Sequence, residues 1–411
     1  MDIALVNQPI DLMVSPFENS IALWSNRVAP HLAQKHPVYV YAKRSKVQKR
    51  IEAPPNLEYV LVPALPNRVV NKTGGLITRL GSDSLPGYAS QLNNLDYSLS
   101  VALSLRQRQI GIVHIHNFTQ FVPVIHAVVP KAKLVLHMNC EWLTQLSYED
   151  MARRIELCSL VLGSSNYITQ KIRDRFPQYA DRCQTIYNGV DVDVFSTPTP
   201  DQSAEVNETK RFLFVGRVSP EKGVHDLIEA FSIAAQQNPH LELNLLGHIG
   251  ALPIDFIVQS SDDPAINALS RFYEDDYGEI LKRMVPENLK DRVHFLGPTS
   301  HAGVVEHYHK ADVLVNPSYS ESFGMSLVEA MACYKPVIAT KVGGMVEIVD
   351  DGKTGLLVER GDVAALAEAM MSLAADDQRR QVMGEAGRQR VVSTFSWAQI
   401  AQTLTGYYEA L

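Results

Sequence analysis

The sequence is poor in cysteine and lacks the spacings that mark disulfide-rich or zinc-binding proteins. Four cysteines occur among 411 residues, and no two of them form a C-x-x-C pair. A secreted disulfide scaffold would need a denser set, so we predict reduced thiols in a cytosolic protein. Buried, inert side chains are the simplest interpretation of Cys140, Cys158, Cys183 and Cys333.

Long apolar runs and a leader segment are also missing. No uncharged apolar stretch approaches the ~18 residues that a membrane span needs. After the initiator Met the chain reads DIALVNQPIDL, which starts with an acid and has no basic residue ahead of an apolar core. We therefore expect no transmembrane helix, no secretory signal and a cytoplasmic location.

The sequence also has no overall excess of positive charge. The formal net charge is −7, which argues against binding to nucleic acid. Residues 1–110 nevertheless contain twelve Lys or Arg and seven Asp or Glu, a local balance of +5. The densest basic run consists of Lys43, Arg44, Lys46, Lys49 and Arg50. It is either a solvated loop or a surface for peripheral contact with the inner membrane face or a phosphorylated acceptor.

What the sequence does have is an alternation of short apolar runs with amphipathic stretches. The runs are rich in β-branched residues, which is typical of strands buried on both faces of a parallel sheet. In the first half the predicted strands are 2–6, 38–41, 59–62, 112–116, 134–136, 160–162 and 185–187. Helices are predicted between them, for example over 21–35 and 92–108.

The alternation stops once and then starts again. Residues 187–195, YNGVDVDVF, contain an Asn-Gly turn signal and are predicted to position a hinge, or else to form an ordinary turn. Residues 196–210 have no apolar periodicity and predict an interdomain linker. Further strands are predicted over 212–215, 241–246, 293–296, 313–315 and 337–339, with helices over 224–235, 301–310 and 325–333.

The repeated βαβ order predicts two doubly wound, Rossmann-like α/β domains facing each other across a cleft. Their predicted extents are residues 1–200 and 201–395, and a chain of this length is expected to form two domains. Residues 251–280 are longer than a usual connection and predict an insertion or a mobile loop. Ligands of such sheets bind at the carboxyl ends of the strands.

The first motif with chemical content is VGRVSPEKG, which follows a predicted strand. Gly216 allows a close backbone turn, and Ser219 and Pro220 suit the start of the next helix. Arg217 and Lys222 flank the turn, and two cations beside a helix N-terminus suit a diphosphate. Fixed positive charge stabilises a leaving diphosphate most in the transition state. Two solvated surface cations are the alternative.

The second motif, NPSYSESFGMSLVEAMA, leads from a strand into an apolar helix. Gly324, Met325 and Ser326 begin this helix, and their unpaired amides suit a phosphate or a sugar hydroxyl. Glu321 lies in the loop and Glu329 follows eight positions later. Ionised carboxylates accept hydrogen bonds from vicinal diols, here of a sugar and a ribose. A capped helix with two exposed acids is the alternative.

Histidines form a third set, at predicted strand ends. His114 and His116 are two positions apart on one strand and therefore point to the same side. His137 directly follows another strand, so it is expected at the carboxyl edge, toward the cleft, where it can bind a sugar hydroxyl or a developing charge. A structural role is the alternative for each histidine. Their spacing supplies no complete zinc ligand set, and we predict no metal site.

Together these motifs make the chain resemble the retaining glycosyltransferases of the GT-B fold. That group includes sucrose synthases and many bacterial lipid and polysaccharide mannosyl- and glucosyltransferases. The resemblance covers nearly the whole chain, and the order and spacing of the motifs are more specific than any one of them. The matching pieces are YNGVDVDVF, GRVSPEKG, DVLVNPSYSESFGMSLVEAMA, KPVIATKVGGMVEIVDDGKTGLLV and FSWAQIAQTL.

The resemblance implies roles for single residues. It implies catalytic roles for His137, Arg217, Lys222 and Glu321. It places Glu321 near the donor sugar and Glu329 on the ribose, and it implies that residues 396–411 form a helix that crosses back to the first domain. The implied donor-binding residues are Gly216, Arg217, Lys222, Ser322, Phe323, Gly324, Met325, Ser326 and Glu329.

Two departures from the family pattern concern the first domain. The family commonly has a glycine pair after its first strand, whereas this chain reads MVSPFENSIALW, with Ser15, Pro16 and Ser20 in the loop. Met138 follows the histidine where the family often has a small or polar residue. We expect an unusual acceptor pocket and an altered contact of this domain with substrate.

The predicted function is retaining transfer of a hexose from a nucleoside-diphosphate sugar to a hydroxyl acceptor, which is a glycan, a lipid or a small molecule. A UDP- or GDP-sugar is the expected co-substrate, with no cofactor. The resemblance implies a front-face reaction in which the leaving phosphate assists deprotonation of the acceptor. The alternatives are a phosphorylase or epimerase of the same fold and a non-catalytic sugar- or nucleotide-binding protein. No G-x-G-x-x-G follows the first strand, which disfavours a nicotinamide dehydrogenase.

Overall fold

A computed structural model describes most of the chain, in seven stretches: residues 1–9, 20–44, 53–63, 89–90, 93–196, 208–251 and 253–411. The chain divides into two compact units, Met1–Asn188 with Trp397–Leu411 and Gly189–Ser396. The division therefore falls within the YNGVDVDVF segment, twelve residues before the boundary predicted at residue 200.

The first unit is built on a parallel sheet. Among the described residues it has seven strands, in the order β3-β2-β1-β4-β5-β6-β7. The order reverses between β1 and β4, which makes the carboxyl ends of these strands the place where doubly wound sheets bind ligands. The strands are β1 (Ile3–Val6), β2 (Val38–Lys43), β3 (Leu57–Val62), β4 (Ile112–His116), β5 (Lys133–Met138), β6 (Leu160–Gly163) and β7 (Cys183–Thr185).

Helices cover both faces of this sheet, so its central strands are buried throughout. Serine caps start two of the helices, because Ser147 accepts the Asp150 amide and Ser165 accepts the Ile168 amide. The helices before the chain leaves the unit are α1 (Ser20–Ala33), α2 (Leu95–Arg108), α3 (Phe121–Val128), α4 (Trp142–Gln145), α5 (Tyr148–Glu156) and α6 (Asn166–Arg175).

The second unit repeats the plan. Its six described strands follow the order β10-β9-β8-β11-β12-β13, all parallel, with the reversal between β8 and β11. The strands are β8 (Lys210–Val215), β9 (Leu241–Leu246), β10 (Val293–Gly297), β11 (Val313–Asn316), β12 (Val337–Thr340) and β13 (Gly355–Val358). The helices are α7 (Val224–Gln237), α8 (Pro264–Asn267), α9 (Tyr277–Met284), α10 (His301–Lys310), α11 (Met325–Ala332), α12 (Met345–Ile348), α13 (Val363–Ala375) and α14 (Asp377–Thr394).

The last helix, α15 (Trp397–Glu409), belongs to the first unit although it follows the second in sequence. It packs on α1 and buries its apolar side, including Trp397, Leu404 and Tyr408. The resemblance implied such a helix. Both units are Rossmann-like, so the predicted α/β fold class with two doubly wound domains is confirmed.

Most predicted elements lie within two or three residues of the observed ones, and strands 112–116 and 241–246 and helix 301–310 match in full. The strand predicted over 185–187 is placed two residues too late, since β7 ends at Thr185. Thr185 pairs with Gly163 at the end of β6. In the stretch predicted to be an insertion or a mobile loop, residues 253–280 include short helical segments around buried Val258, Ile266 and Leu269.

Some sequence predictions fall outside the described residues. These are most of the linker, residues 197–207, together with Ser15, Pro16, Lys46, Lys49 and Arg50. Ser20, predicted as a loop residue, is the exposed first residue of α1.

Candidate active site

The turn after β8 comes into close backbone contact with the end of β9. Gly216 has φ +153°, and a side chain at Gly247 would place Cβ 1.8 Å from the Gly216 carbonyl oxygen. Ser219 and Pro220 start a 3₁₀ turn, and α7 begins only at Val224. Ser219 and Pro220 were predicted to start the helix, but they start a 3₁₀ turn that precedes it.

The turn also packs against the loop that follows β11. Gly223 has φ +66°, and a Cβ there would lie 2.1 Å from the carbonyl oxygen of Pro317. The Tyr319 amide donates to the Glu221 carbonyl at 2.8 Å. These contacts bring together the two motifs, at the point where the strand order reverses.

Lys222 and Glu321 join the two motifs through their charged ends. The Lys222 ammonium donates to Glu321 Oε2 at 2.7 Å, and the two side chains are 19% and 20% exposed. An ammonium has three donors, so two remain for a ligand oxygen. The pair holds one predicted diphosphate-binding cation and one predicted sugar-binding acid side by side.

Arg217 is held by an acid that the sequence prediction missed. Glu221 is buried, and its Oε1 accepts from Arg217 at 2.9 Å and from the Ser219 hydroxyl at 2.6 Å. The Arg217 side chain is 34% exposed. Because a guanidinium has five N–H donors, several remain free of these contacts and can bind phosphate oxygens. Arg217 lies outside any helix, so the i,i+4 rule for helical ion pairs does not apply, and no local pattern indicated this pair.

Glu329 is buried rather than exposed. Its Oε2 accepts a hydrogen bond from Tyr308 on α10 at 2.7 Å. Burial raises the pKa of Glu329 to about 7, and the Tyr308 hydrogen bond opposes this rise. The carboxyl group is therefore poised between its neutral and charged forms near neutral pH. Nothing in the local sequence of Tyr308 indicated this partner.

The start of α11 has the predicted form. Gly324 occupies the N-cap position with φ +116°, and Met325 is the first helical residue. The first amides of a helix have no intrahelical partner, so they are available to an anion or a hydroxyl. Of the other predicted donor contacts, Ser322 is half-buried, whereas Phe323 is buried and stacks edge-on against Phe395. The Ser326 hydroxyl accepts from the Asn316 side chain.

The three histidines lie together in the first unit. His116 and His137 are register partners on β4 and β5, and the nitrogen atoms that His114, His116 and His137 offer lie within 4.8 Å of one another. All three rings are buried. Burial lowers the pKa of each, to about 3 for His116, so the rings are neutral at pH 7. His137 thus lies at the carboxyl end of its strand as predicted, but with its ring covered.

Comparison with known families assigns both units. The model of the family "Glycosyltransferase Family 4" matches residues 26–194, and that of "Glycosyl transferases group 1" matches residues 196–390. The chain belongs to the GT-B glycosyltransferases. The resemblance to GT-B glycosyltransferases inferred from its motifs is confirmed.

Relatives of this glycosyltransferase are consistent with that assignment. The chain is 28% identical over 396 residues to the D-inositol 3-phosphate glycosyltransferase of Corynebacterium kroppenstedtii, covering 90% of this chain and 80% of that one. Sucrose-phosphate synthase from Thermosynechococcus elongatus has the same fold, with a TM-score of 0.74, 23% identity and 100% and 98% coverage of the two chains. Anabaena HepE in complex with UDP and glucose gives a TM-score of 0.69, with 21% identity and full coverage of both chains.

No helix in the described part of this glycosyltransferase is long and apolar enough to cross a membrane. All four cysteines are free, as predicted; Cys158, Cys183 and Cys333 are buried, whereas Cys140 is half-buried. The basic run is described only at its start, where Lys43 is half-buried and Arg44 donates to the Leu61 carbonyl.

Proposed function

We propose that this glycosyltransferase moves a hexose from a nucleoside-diphosphate sugar to an acceptor hydroxyl, with retention of the anomeric configuration. The observation that carries the proposal is the pair of oriented cations after β8. Arg217 and Lys222 are each fixed by a carboxylate, on Glu221 and Glu321, at the switch point of the second sheet.

The electrostatics of this arrangement suit a diphosphate leaving group. Each cation keeps donors that its carboxylate does not use, and its side chain is already ordered before a ligand arrives. Charge grows on the diphosphate as the bond to the sugar breaks, so preorganised cations stabilise the transition state more than the ground state. The two cations perform the task that a metal ion performs elsewhere, and we propose a reaction without metal or cofactor.

We propose a UDP- or GDP-sugar as donor, with UDP-glucose the first to test. The support is the structural likeness to a protein solved with UDP and glucose. In this proposal the amides at Gly324, Met325 and Ser326 bind phosphate or sugar, and Glu329 accepts from the ribose diol. Glu321 lies beside Lys222 and is proposed to contact the donor sugar.

His137 is proposed to bind a substrate hydroxyl in the first unit. Its Nε2 has no hydrogen-bond partner among the described residues. Because the ring is buried, side chains around it must move for a substrate to reach it. For retention we propose a front-face reaction in which the leaving phosphate accepts the acceptor proton.

The acceptor is proposed to be anionic or lipid-linked, and the protein to be cytoplasmic with peripheral membrane contact. The basic run that begins at Lys43 and Arg44 supports this part of the proposal. Sedimentation with vesicles of neutral and of anionic lipid tests it, and equal binding to both would remove the idea.

A thermal-shift panel with UDP, GDP, ADP and their hexose conjugates tests the donor proposal. A ligand at 100 times its dissociation constant stabilises the fold by about 2.7 kcal/mol. A selective shift identifies the base and directs an acceptor screen, and NMR of the first product distinguishes retention from inversion. Absence of any shift, or an inverted product, would contradict the proposal.

A further inference from the structure

We propose that Tyr408 and His114 are positioning residues that fix the tautomer of His137, so that its Nε2 carries the hydrogen. The proposal rests on the proposed function for its catalytic consequence, because it describes how His137 is prepared to donate a hydrogen bond to a substrate hydroxyl. It links the last helix of the chain to the histidine that the family resemblance singles out.

The three residues form a continuous hydrogen-bonded line. The Tyr408 hydroxyl on α15 lies 2.6 Å from His114 Nδ1. His114 Nε2 lies 3.1 Å from His137 Nδ1. All three side chains are buried, so water does not supply alternative partners at their surface. The line ends at His137 Nε2, which has no partner within the described parts of the chain.

The direction of the line follows from proton counting. The hydroxyl of Tyr408 has one proton, and His114 Nδ1 is its only neighbour in hydrogen-bond range among the described residues. In the reverse direction the Tyr408 hydrogen would lack an acceptor among the described residues. With Tyr408 donating, the unpaired hydrogen is instead on His137 Nε2, where a substrate oxygen can accept it, so we assign Tyr408 as the donor and His114 Nδ1 as the acceptor. A neutral imidazole has one N–H, which in His114 is therefore on Nε2 and points to His137 Nδ1.

The same counting of protons then determines the tautomer of His137. Its Nδ1 accepts from His114, and burial lowers its pKa and keeps the ring neutral, so its single N–H is on Nε2. Trp24 and His116 hold the ring by contacts with centroid distances of 5.1 and 5.0 Å. The result is an oriented, uncharged donor. A neutral donor binds a hydroxyl oxygen without repelling the positive charge that develops on a sugar during transfer.

The tautomer of His116 is set by a separate hydrogen-bond network, to which it donates. The Ser25 hydroxyl donates to Asn7 Oδ1 at 2.7 Å, so it must accept from His116 Nε2 at 3.3 Å. His116 is therefore not a member of the Tyr408 line. A zinc ion among the three rings is the competing interpretation, because each ring offers a nitrogen and these atoms lie within 4.8 Å of one another. Zinc bound through His114 Nε2 or His137 Nδ1 would displace the proton that these two nitrogens share.

Long-range ¹⁵N–¹H correlation spectra of histidine-labelled protein test the assignment without any substrate. We expect His114 and His137 both to carry hydrogen on Nε2. In Tyr408→Phe the His114 ring loses its constraint, and we expect His137 to become a mixture of tautomers. Tyr407→Phe is the matched control, because Tyr407 lies on the same helix and its hydroxyl donates instead to the Thr185 carbonyl.

Kinetics supply the second readout. We expect Tyr408→Phe to lower kcat on the order of tenfold, as for other partners that orient a site residue, with the donor KM unchanged. Tyr407→Phe should leave kcat unchanged. Equal tautomer spectra and equal kcat in the two variants would overturn the proposal, as would hydrogen on Nδ1 of wild-type His137 or stoichiometric zinc in the purified protein. If the tautomers are as expected but no donor is ever turned over, the proposed function fails while the hydrogen-bonded line stands.

Discussion

The Lys222 ammonium and the Glu321 carboxylate lie 2.7 Å apart, although the two residues are separated by 99 positions in sequence. Each side chain is about four-fifths buried. Removing either one leaves the other as a largely buried, unpaired charge, which costs more than the loss of an exposed ion pair. The pair therefore couples the geometry of the two loops that carry the proposed donor site.

Arg217→Ala and Lys222→Ala should each lower kcat with the donor by about 10²–10³-fold, or about 2.7–4 kcal/mol, the usual loss for one donor in an anion-stabilising site. The reason is the loss of one preorganised cation at the leaving diphosphate. Steady-state kinetics with the donor identified by thermal shift measure the effect.

Strand β8, which precedes these two cations, carries an Arg and a Lys that serve as controls of nearly equal exposure. Arg211 is 33% exposed and paired with Glu242, compared with 34% for Arg217. Lys210 is 18% exposed and paired with Asp377, compared with 19% for Lys222. Arg211→Ala and Lys210→Ala lie at the start of β8 and should keep normal turnover. Equal losses in test and control variants would show a general effect of lost ion pairs.

Glu329→Gln should stabilise the second unit at high pH. Burial raises the pKa of Glu329 from 4.5 to about 7, so the folded state binds the proton more tightly than the unfolded state. Wild-type stability from this group is complete below pH 4.5 and is lost as pH rises to about 7. At roughly 1.4 kcal/mol per pH unit, the loss is about 3 kcal/mol.

Glutamine resembles the protonated acid, so the variant and the wild type should be similar below pH 4.5 and should differ by about 3 kcal/mol at pH 8. All three tryptophans lie outside the second unit. Hydrogen exchange in peptides covering α11 is therefore the suitable measurement. UDP affinity should fall in the same variant if Glu329 binds ribose. A difference in stability that does not change with pH would contradict the raised pKa.

Gly223→Ala should unfold the second unit more readily and weaken donor binding. Alanine at φ +66° costs about 1–2 kcal/mol by itself, and its Cβ would also meet the Pro317 carbonyl at 2.1 Å. The loop carrying Glu321 would have to move. Gly352→Ala is matched in backbone conformation, with φ +76° and no atom within 4 Å of the added Cβ, so it should show only the conformational cost. Urea unfolding and UDP titration of the two variants should separate them, and similar behaviour would rule out the steric argument.

The four thiols should be unreactive in the native protein. Burial raises the pKa of Cys140, Cys158 and Cys333 to about 12 and that of Cys183 to about 11. Very little thiolate is present at pH 8, and the thiolate is the reactive form. Titration with a disulfide reagent should detect no fast thiol before denaturant is added and four afterwards. Rapid native labelling of any one would mean that its surroundings open readily.

Much of the fold was predictable because it depends on short-range patterns. Apolar runs such as 112–116 can be buried on both faces only as strands of a covered parallel sheet, and the structure has a strand there. The position of β7 was predicted two residues too late, because the strand itself reads CQT and the more apolar Ile186 and Tyr187 follow its end. The cation pair and the start of α11 were also predicted, since glycine and charge placement are local features.

By itself, the sequence determined the two βαβ series, the family and the residues of the proposed donor site. Only the tertiary structure decided which of those charges are paired, that Glu329 is buried with a raised pKa, and that three histidines share one buried cluster with Tyr408. The physical reason is that pairing and burial depend on elements far apart in the chain. Tyr408 and His114 are separated by 294 positions, and no local pattern at either residue encodes a contact that forms when the last helix returns to the first sheet.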